Sequence, residues 1–162
     1  SGWITRDQNM KIEQIEHADT KQTIARQILE TLPEWFGLED ARESYIRESA
    51  GQTFFAAFDA ERAVGFLCLK ETGRDTLELS VMGVLKAYHR RGIGKALFAS
   101  GKTFAIESGY SFLQVKTVQM GRYEVYDRTN RFYLSLGFKE LEVFPTLWDA
   151  WNPCQVYILS LQ

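Results

Sequence analysis

The chain has 162 residues, 45% of them hydrophobic and 25% charged, with a formal net charge of −2. That length suits one domain able to bury its own core, and the apolar content with so small a net charge excludes intrinsic disorder and a collagen-like chain. Two cysteines, Cys68 and Cys154, make no disulfide scaffold, and beside His17 and His89 they leave little material for a soft-metal site.

Residues 1–9 are polar and precede Met10, so they read as an added leader, with a single domain over residues 10–162. No charged-then-apolar signal opens the chain. The longest apolar run, Phe54–Phe58, is far short of the ~20 residues that span a bilayer. The expectation is a cytoplasmic protein with no membrane partner.

Lys11–Ile15 predicts a short first strand. Ala18–Leu32 carries Ile24, Ile28, Leu29 and Leu32 at one-face helical spacing. Asp19 or Thr20 would cap that helix and Pro33 would end it. Trp35, Phe36 and Gly37 then read as an aromatic loop, and Leu38–Ser49 as a second helix. Three strands follow, Thr53–Phe58, Ala63–Lys70 and Thr76–Val84, joined by turns at Asp59–Arg62 and Gly73–Asp75. They make an antiparallel meander.

Beyond Gly92 the period changes. Ile93, Leu97, Ser100, Gly101 and Phe104 mark a helix that stops at Gly109, and Phe112–Val118 is a β-rich run. Strand, helix and strand in this order make a βαβ unit, parallel there. Val125, Thr129, Phe132, Tyr133 and Leu136 mark a last helix closed by Gly137. Phe138–Phe144 and Gln155–Leu161 predict two final strands around an aromatic loop that holds Trp148 and Trp151. The fold class is mixed α/β: an antiparallel meander followed by a parallel βαβ unit.

The charge is uneven. From Leu79 to Ile106 there is no Asp or Glu, while Lys86, Arg90, Arg91, Lys95 and Lys102 fall in that stretch. The remainder holds 14 basic against 21 acidic residues. A compact cationic island in an acidic chain points to a compact anionic ligand. A nucleic-acid face would need a wider basic surface and a basic pI, whereas the pI here is about 5.8.

Within the island, Val84-Leu85-Lys86-Ala87-Tyr88-His89-Arg90-Arg91-Gly92-Ile93-Gly94-Lys95 takes a strand through a basic turn into a helix. A helix start leaves amides without intrahelical acceptors at the positive end of the dipole. Gly92 and Gly94 keep side chains out of a ligand's way, and Arg90, Arg91 and Lys95 add charge. This is a pyrophosphate cradle. It is no P-loop, and Leu97 stands where a dinucleotide fingerprint needs its third glycine.

His89-Arg90-Arg91-Gly92-Ile93-Gly94 resembles the cofactor motif of the GNAT superfamily of acetyl-CoA-dependent N-acetyltransferases, [Gln/Arg]-x-x-Gly-x-[Gly/Ala], with His89 in place of the usual first residue. Arg131-Phe132-Tyr133-Leu134-Ser135-Leu136-Gly137-Phe138 is similar to that family's later helix, though Tyr126 stands where members often carry Asn. The resemblance implies helices on both faces of a mixed sheet, acetyl-CoA as co-substrate, and cofactor contacts from Met82, Val84, His89, Arg90, Arg91, Gly92, Ile93, Gly94, Lys95 and Tyr126. It places an oxyanion-binding amide near Met82-Gly83-Val84, where it implies a splay or bulge that the glycine would allow. It gives Tyr133 the role of proton donor to the coenzyme A thiolate.

Glu78 is the candidate base, on one strand face with Ser80, Met82 and Val84 by alternation; the alternative is a solvent-facing strand carboxylate. Acyl transfer by direct attack needs no enzyme nucleophile, and the sequence presents no nucleophile–base pair. Trp35, Phe36, Tyr45 and Trp148 are the candidate acceptor-binding residues, flanked by Glu34, Glu39, Asp40 and Asp149, which would attract a cationic amine. The same rings would equally serve a core or a homodimer. The reading is an N-acetyltransferase acting on a primary amine of a small molecule. A non-catalytic acyl-CoA sensor and a peptide or protein N-acetyltransferase are the alternatives.

Overall fold

The computed structural model describes residues 2–3 and 10–162. The expected leader therefore lies outside the described residues except at Gly2–Trp3, which forms a short strand, β1, antiparallel to β2 (Met10–Ile15). Helices α1 (Ala18–Leu29), α2 (Pro33–Phe36) and α3 (Glu39–Ser49) follow. Then come β3 (Thr53–Asp59), β4 (Arg62–Gly73), β5 (Thr76–Val84) and α4 (Ile93–Glu107). The chain ends with β6 (Phe112–Val118), α5 (Glu124–Ser135), β7 (Lys139–Phe144) and β8 (Cys154–Ser160). Two compact units are distinguished: Ser1–Lys70 with Ser80–Phe104, and Glu71–Leu79 with Ala105–Gln162.

In the first unit the strands run β1-β2-β3-β4-β5, with β2, β3 and β4 antiparallel neighbours and a bulge between Ala57 and Phe58. The apolar stripe of α1 (Ile24, Ala25, Ile28, Leu29) continues into Leu32 and packs with Ile46 of α3 onto Phe54, Ala56, Phe66, Cys68 and Val81. Phe54 and Phe66 stack at 5.2 Å. A Cβ on Gly83 would stand 3.1 Å from Ile28 and 3.2 Å from Leu32, so the missing side chain lets α1 lie close on β5. The other face of β4 carries α4: a Cβ on Gly101 would meet Leu67 at 3.1 Å, and one on Gly65 would meet Leu97 at 3.2 Å. Helices thus cover both faces, as expected.

Two local expectations are corrected. The N-cap of α1 is His17, without a side-chain cap; Asp19 sits inside the first turn, where its charge meets the helix dipole, and Thr20 is likewise helical. Pro33 does not leave a loop behind it. It opens α2 at N1, where a missing N–H is harmless, so Trp35 and Phe36 lie on a helical turn whose amides both donate to Leu32 O. Lys21, almost fully buried, donates from Nζ to Gln52 O at 2.7 Å and Ala50 O at 3.4 Å, meeting carbonyls just past α3.

In the second unit Thr76–Leu79 of β5 pairs parallel with Phe112–Val115 of β6, closing the βαβ unit, and β6-β8-β7 are antiparallel. Positive φ at Gly109 and Gly137 ends α4 and α5. One fully buried side chain ties α5 to the sheet. Asn130 Nδ2 donates to Val118 O at 2.8 Å and Tyr126 O at 2.7 Å, and its Oδ1 accepts the Tyr157 hydroxyl at 2.6 Å. Asn130→Ala leaves a buried carbonyl and a buried phenol unsatisfied. Stability should fall by about 2–4 kcal/mol, read as a lower midpoint in urea denaturation; a loss below about 1 kcal/mol would deny this network any net role.

Candidate functional site

The basic turn between β5 and α4 is built by backbone strain and by bonds to its flanks. After Val84 the chain makes one tight helical turn, Lys86–Tyr88, then passes through positive φ at Arg90 (63°) and Gly92 (78°). Ala96 N–H donates to Gly92 O at 3.0 Å, the first bond of α4. The amides of Ile93, Gly94 and Lys95 therefore precede any acceptor the helix can offer. Arg90, Arg91, Gly92 and Lys95 are exposed, and a Cβ on Gly92 would meet open space. Ile93 and Leu97 are buried and fix the helix by its opposite side.

Several contacts hold the turn. Leu85 N–H donates to Val64 O at 2.9 Å. The Tyr88 hydroxyl donates to Asp59 at 2.6 Å, and this bond, with burial, pushes the Tyr88 phenol above its ordinary pKa. The Arg91 guanidinium lies 4.8 Å over the Tyr88 ring. Lys86 forms an ion pair with Glu34 of α2. His89 Nε2 lies 2.7 Å from Val84 O, which requires the nitrogen to be the donor, and the imidazole meets the edge of Trp35 at 6.2 Å. His89 is thus directed at the turn's own backbone.

Met82 and Val84 are half-buried on β5, alternating with buried Val81 and Gly83. β5 runs to Val84 while its parallel pairing with β6 spans Thr76–Leu79, and the close approach of Ile28 and Leu32 of the α1 stripe leaves no room for a side chain at Gly83. Glu78 is not solvent-facing. It is 5% exposed, accepts from Gln114 Nε2 at 2.8 Å and pairs with Lys116 Nζ at 3.1 Å, so its charge is compensated. Tyr133 is buried among the rings of Phe132, Phe138 and Tyr157 at 5.7, 5.8 and 6.5 Å. Tyr126 is half-buried beside Tyr123, and burial pushes its phenol up. Cys68 is fully buried and its thiol pushed far up by desolvation, matching an inert apolar role.

Trp35, Phe36 and Tyr45 pack against the core of the first unit, with Phe36 and Tyr45 edge to face at 5.8 Å. Trp148 and Trp151 are exposed. Of the acids expected to attract an amine, Glu34 is committed to Lys86. Asp149 accepts from the amides of Trp151 and Asn152 and from the Asn152 side chain, which holds its carboxyl below the usual range. Glu39 and Asp40 stay exposed in the first turn of α3. A groove of about 660 Å³ between α1 and α3 is lined by none of the candidate catalytic, cofactor-binding or acceptor-binding residues. Among the described residues no group of three or more His, Cys, Asp or Glu is placed to hold a metal ion, and no described helix is long and apolar enough to cross a membrane.

Two residues of consequence were missed. Asn130 could have been suspected as a poor helix former in mid-helix. Arg42 could have been suspected because it stands one turn before Ile46 on the inward stripe of α3.

The model of the acetyltransferase (GNAT) domain matches residues 49–140. N-acetyltransferase 8B of Rattus norvegicus is 32% identical over 118 residues, which cover 68% of this chain and 50% of that protein. The chain therefore spans about half the length of that curated relative. A GNAT-family protein from Desulfovibrio desulfuricans superposes with a TM-score of 0.80 at 19% identity, over 94% of this chain and 99% of the other. A GNAT family acetyltransferase from Elizabethkingia anophelis, solved with acetyl-CoA bound, gives a TM-score of 0.73 at 15% identity, over 94% and 98%. Aminoglycoside 6'-acetyltransferase type Ii gives 0.76 at 19%, over 94% and 97%. The chain belongs to the GNAT acetyltransferase domain family.

The positive φ at Gly92 generates a test free of steric complication. Gly92→Ala should lower stability by about 1 kcal/mol, the cost of a left-handed alanine. Gly51→Ala, equally open and not at positive φ, should not destabilise. Equal effects in chemical denaturation would show that the turn carries no such strain.

Proposed function

We propose that the chain transfers an acetyl group from acetyl-CoA to a primary amine of a small molecule, by direct attack while both substrates are bound. The observation that carries this reading is the α4 start: amides without helical acceptors, an open Gly92 and exposed Arg90, Arg91 and Lys95 within an acid-free stretch. That donor set suits a pyrophosphate. An aminoglycoside 6'-N-acetyltransferase of similar fold (TM-score 0.73, 18% identity) was solved with coenzyme A, which supports the choice of ligand.

In this reading the amides at Gly92, Ile93, Gly94 and Lys95 hold the pyrophosphate, and Arg90, Arg91 and Lys95 screen its charge. His89 positions the turn through Val84 O in place of reaching the ligand. Met82 and Val84 supply backbone groups alongside the acyl chain, and Tyr126 an apolar ring. The bound co-substrate supplies an activated thioester. The amine must lose a proton, and Glu78 takes it through water, because a buried carboxylate paired with Lys116 cannot meet an acceptor directly. Tyr133 returns a proton to the leaving sulfur. Trp35, Phe36, Tyr45 and Trp148 contact the acceptor.

An amine panel scored by release of coenzyme A thiol tests the activity. Gly94→Glu should abolish acetyl-CoA binding in calorimetry, since a carboxylate would occupy the pyrophosphate position; wild-type affinity would refute the cradle. Tyr133→Phe should lower turnover by about 10²-fold at nearly unchanged acetyl-CoA affinity, and unchanged turnover at every pH would leave Tyr133 a packing residue.

A further inference from the structure

Arg42 is a charged residue at an inward helical position. It lies on the stripe of α3 that continues through the buried Ile46 and Ser49, and its side chain is 19% exposed. A guanidinium is charged at every accessible pH and brings five N–H donors in a planar fork. Here those donors are poorly used. Nη1 reaches Phe36 O, the last carbonyl of α2, only at 3.4 Å. Among the described residues, Nε is buried without a hydrogen-bond partner. The neighbouring carboxylate is Glu43, whose Oε2 lies 3.9 Å from Nε. Glu43 is already engaged: Arg26 grips both of its oxygens, at 2.7 and 2.8 Å, and holds its carboxyl below the usual range.

A mostly desolvated cation whose one close anion, Glu43 at 3.9 Å, is held by another arginine is poorly compensated, and a leucine or methionine would fill an inward stripe without that penalty. The position is also specific. The carbonyl that Arg42 touches belongs to Phe36, whose ring packs edge to face on Tyr45. These rings are among the proposed acceptor contacts. An anion beside them would complete the fork, and a carboxylate matches its planar, two-pronged geometry.

We propose that Arg42 binds a carboxylate carried by the acceptor, so that the acceptor is an amino acid or a close relative bearing both a primary amine and a carboxylate. This rests on the acetyl-transfer reading above and narrows its substrate class. Phe36 and Tyr45 would face the apolar part of such a molecule.

The test uses matched sets: L-phenylalanine and L-leucine, each with its carboxamide and its decarboxylated amine. Binding is read by calorimetry on the full chain, with and without coenzyme A, and turnover is read separately. At least one free acid should bind about 10-fold or more tightly than its two counterparts that lack the carboxylate, the usual gain from a charge-assisted pair. That preference should vanish in Arg42→Gln and survive in part in Arg42→Lys. Equal affinities within both sets, no binding by any member, or a preference untouched in Arg42→Gln would overturn the proposal. If Arg42→Gln fails to fold, the wild-type preference and Arg42→Lys decide it. A carboxylate preference in binding without any acetylation would leave the Arg42 site standing and refute the acetyl-transfer reading.

Discussion

An α-helix cannot satisfy its own first amides, and the placement of one such helix start organises what this chain can do. The start of α4 follows two positive-φ residues, Arg90 and Gly92, which reverse the chain so that the amides at Ile93, Gly94 and Lys95 follow a turn of exposed cations. Had an acidic residue occupied the turn, its carboxylate could have capped those amides from within. The chain places none between Leu79 and Ile106. In the proposed reading those amides are thereby left for a ligand.

That arrangement is held from below and from the side. Below, Ile93 and Leu97 are buried and Gly65 and Gly101 allow α4 to approach β4 closely. From the side, the turn is joined to α2 twice, by the Lys86–Glu34 ion pair and by His89 against Trp35. The exposed ion pair contributes little energy alone. Its value is geometric: with the imidazole on the indole edge it ties the cation-rich turn to the helical turn that carries Trp35 and Phe36. Asp59 adds a third tie through Tyr88.

Much of the fold was readable from local pattern. Thr76–Val84 and Phe112–Val118 form strands with the bounds that alternation and composition give, and the glycines at 109 and 137 end helices at positive φ. These features depend on near neighbours. The failures depend on distant ones. Local pattern leaves out the steric constraint on Gly83, which is set by Ile28 and Leu32. Pro33 reads as a stop, but the carbonyl of Leu32 was free to start another turn. Of the candidate site, the basic turn was visible because its cations and glycines are contiguous. The burial of Glu78 with Lys116, the commitment of Asp149 to its own loop, and the mismatch at Arg42 arise from tertiary neighbours that no spacing rule encodes.

The central claim is that the amides opening α4 are the anion-binding groups of this protein. Backbone amide chemical shifts followed by nuclear magnetic resonance during titration with coenzyme A test it most directly. The account predicts that the largest perturbations fall on Gly92, Ile93, Gly94 and Lys95, with downfield proton shifts as these donors gain an acceptor. Saturable binding that leaves those four amides unmoved would contradict it.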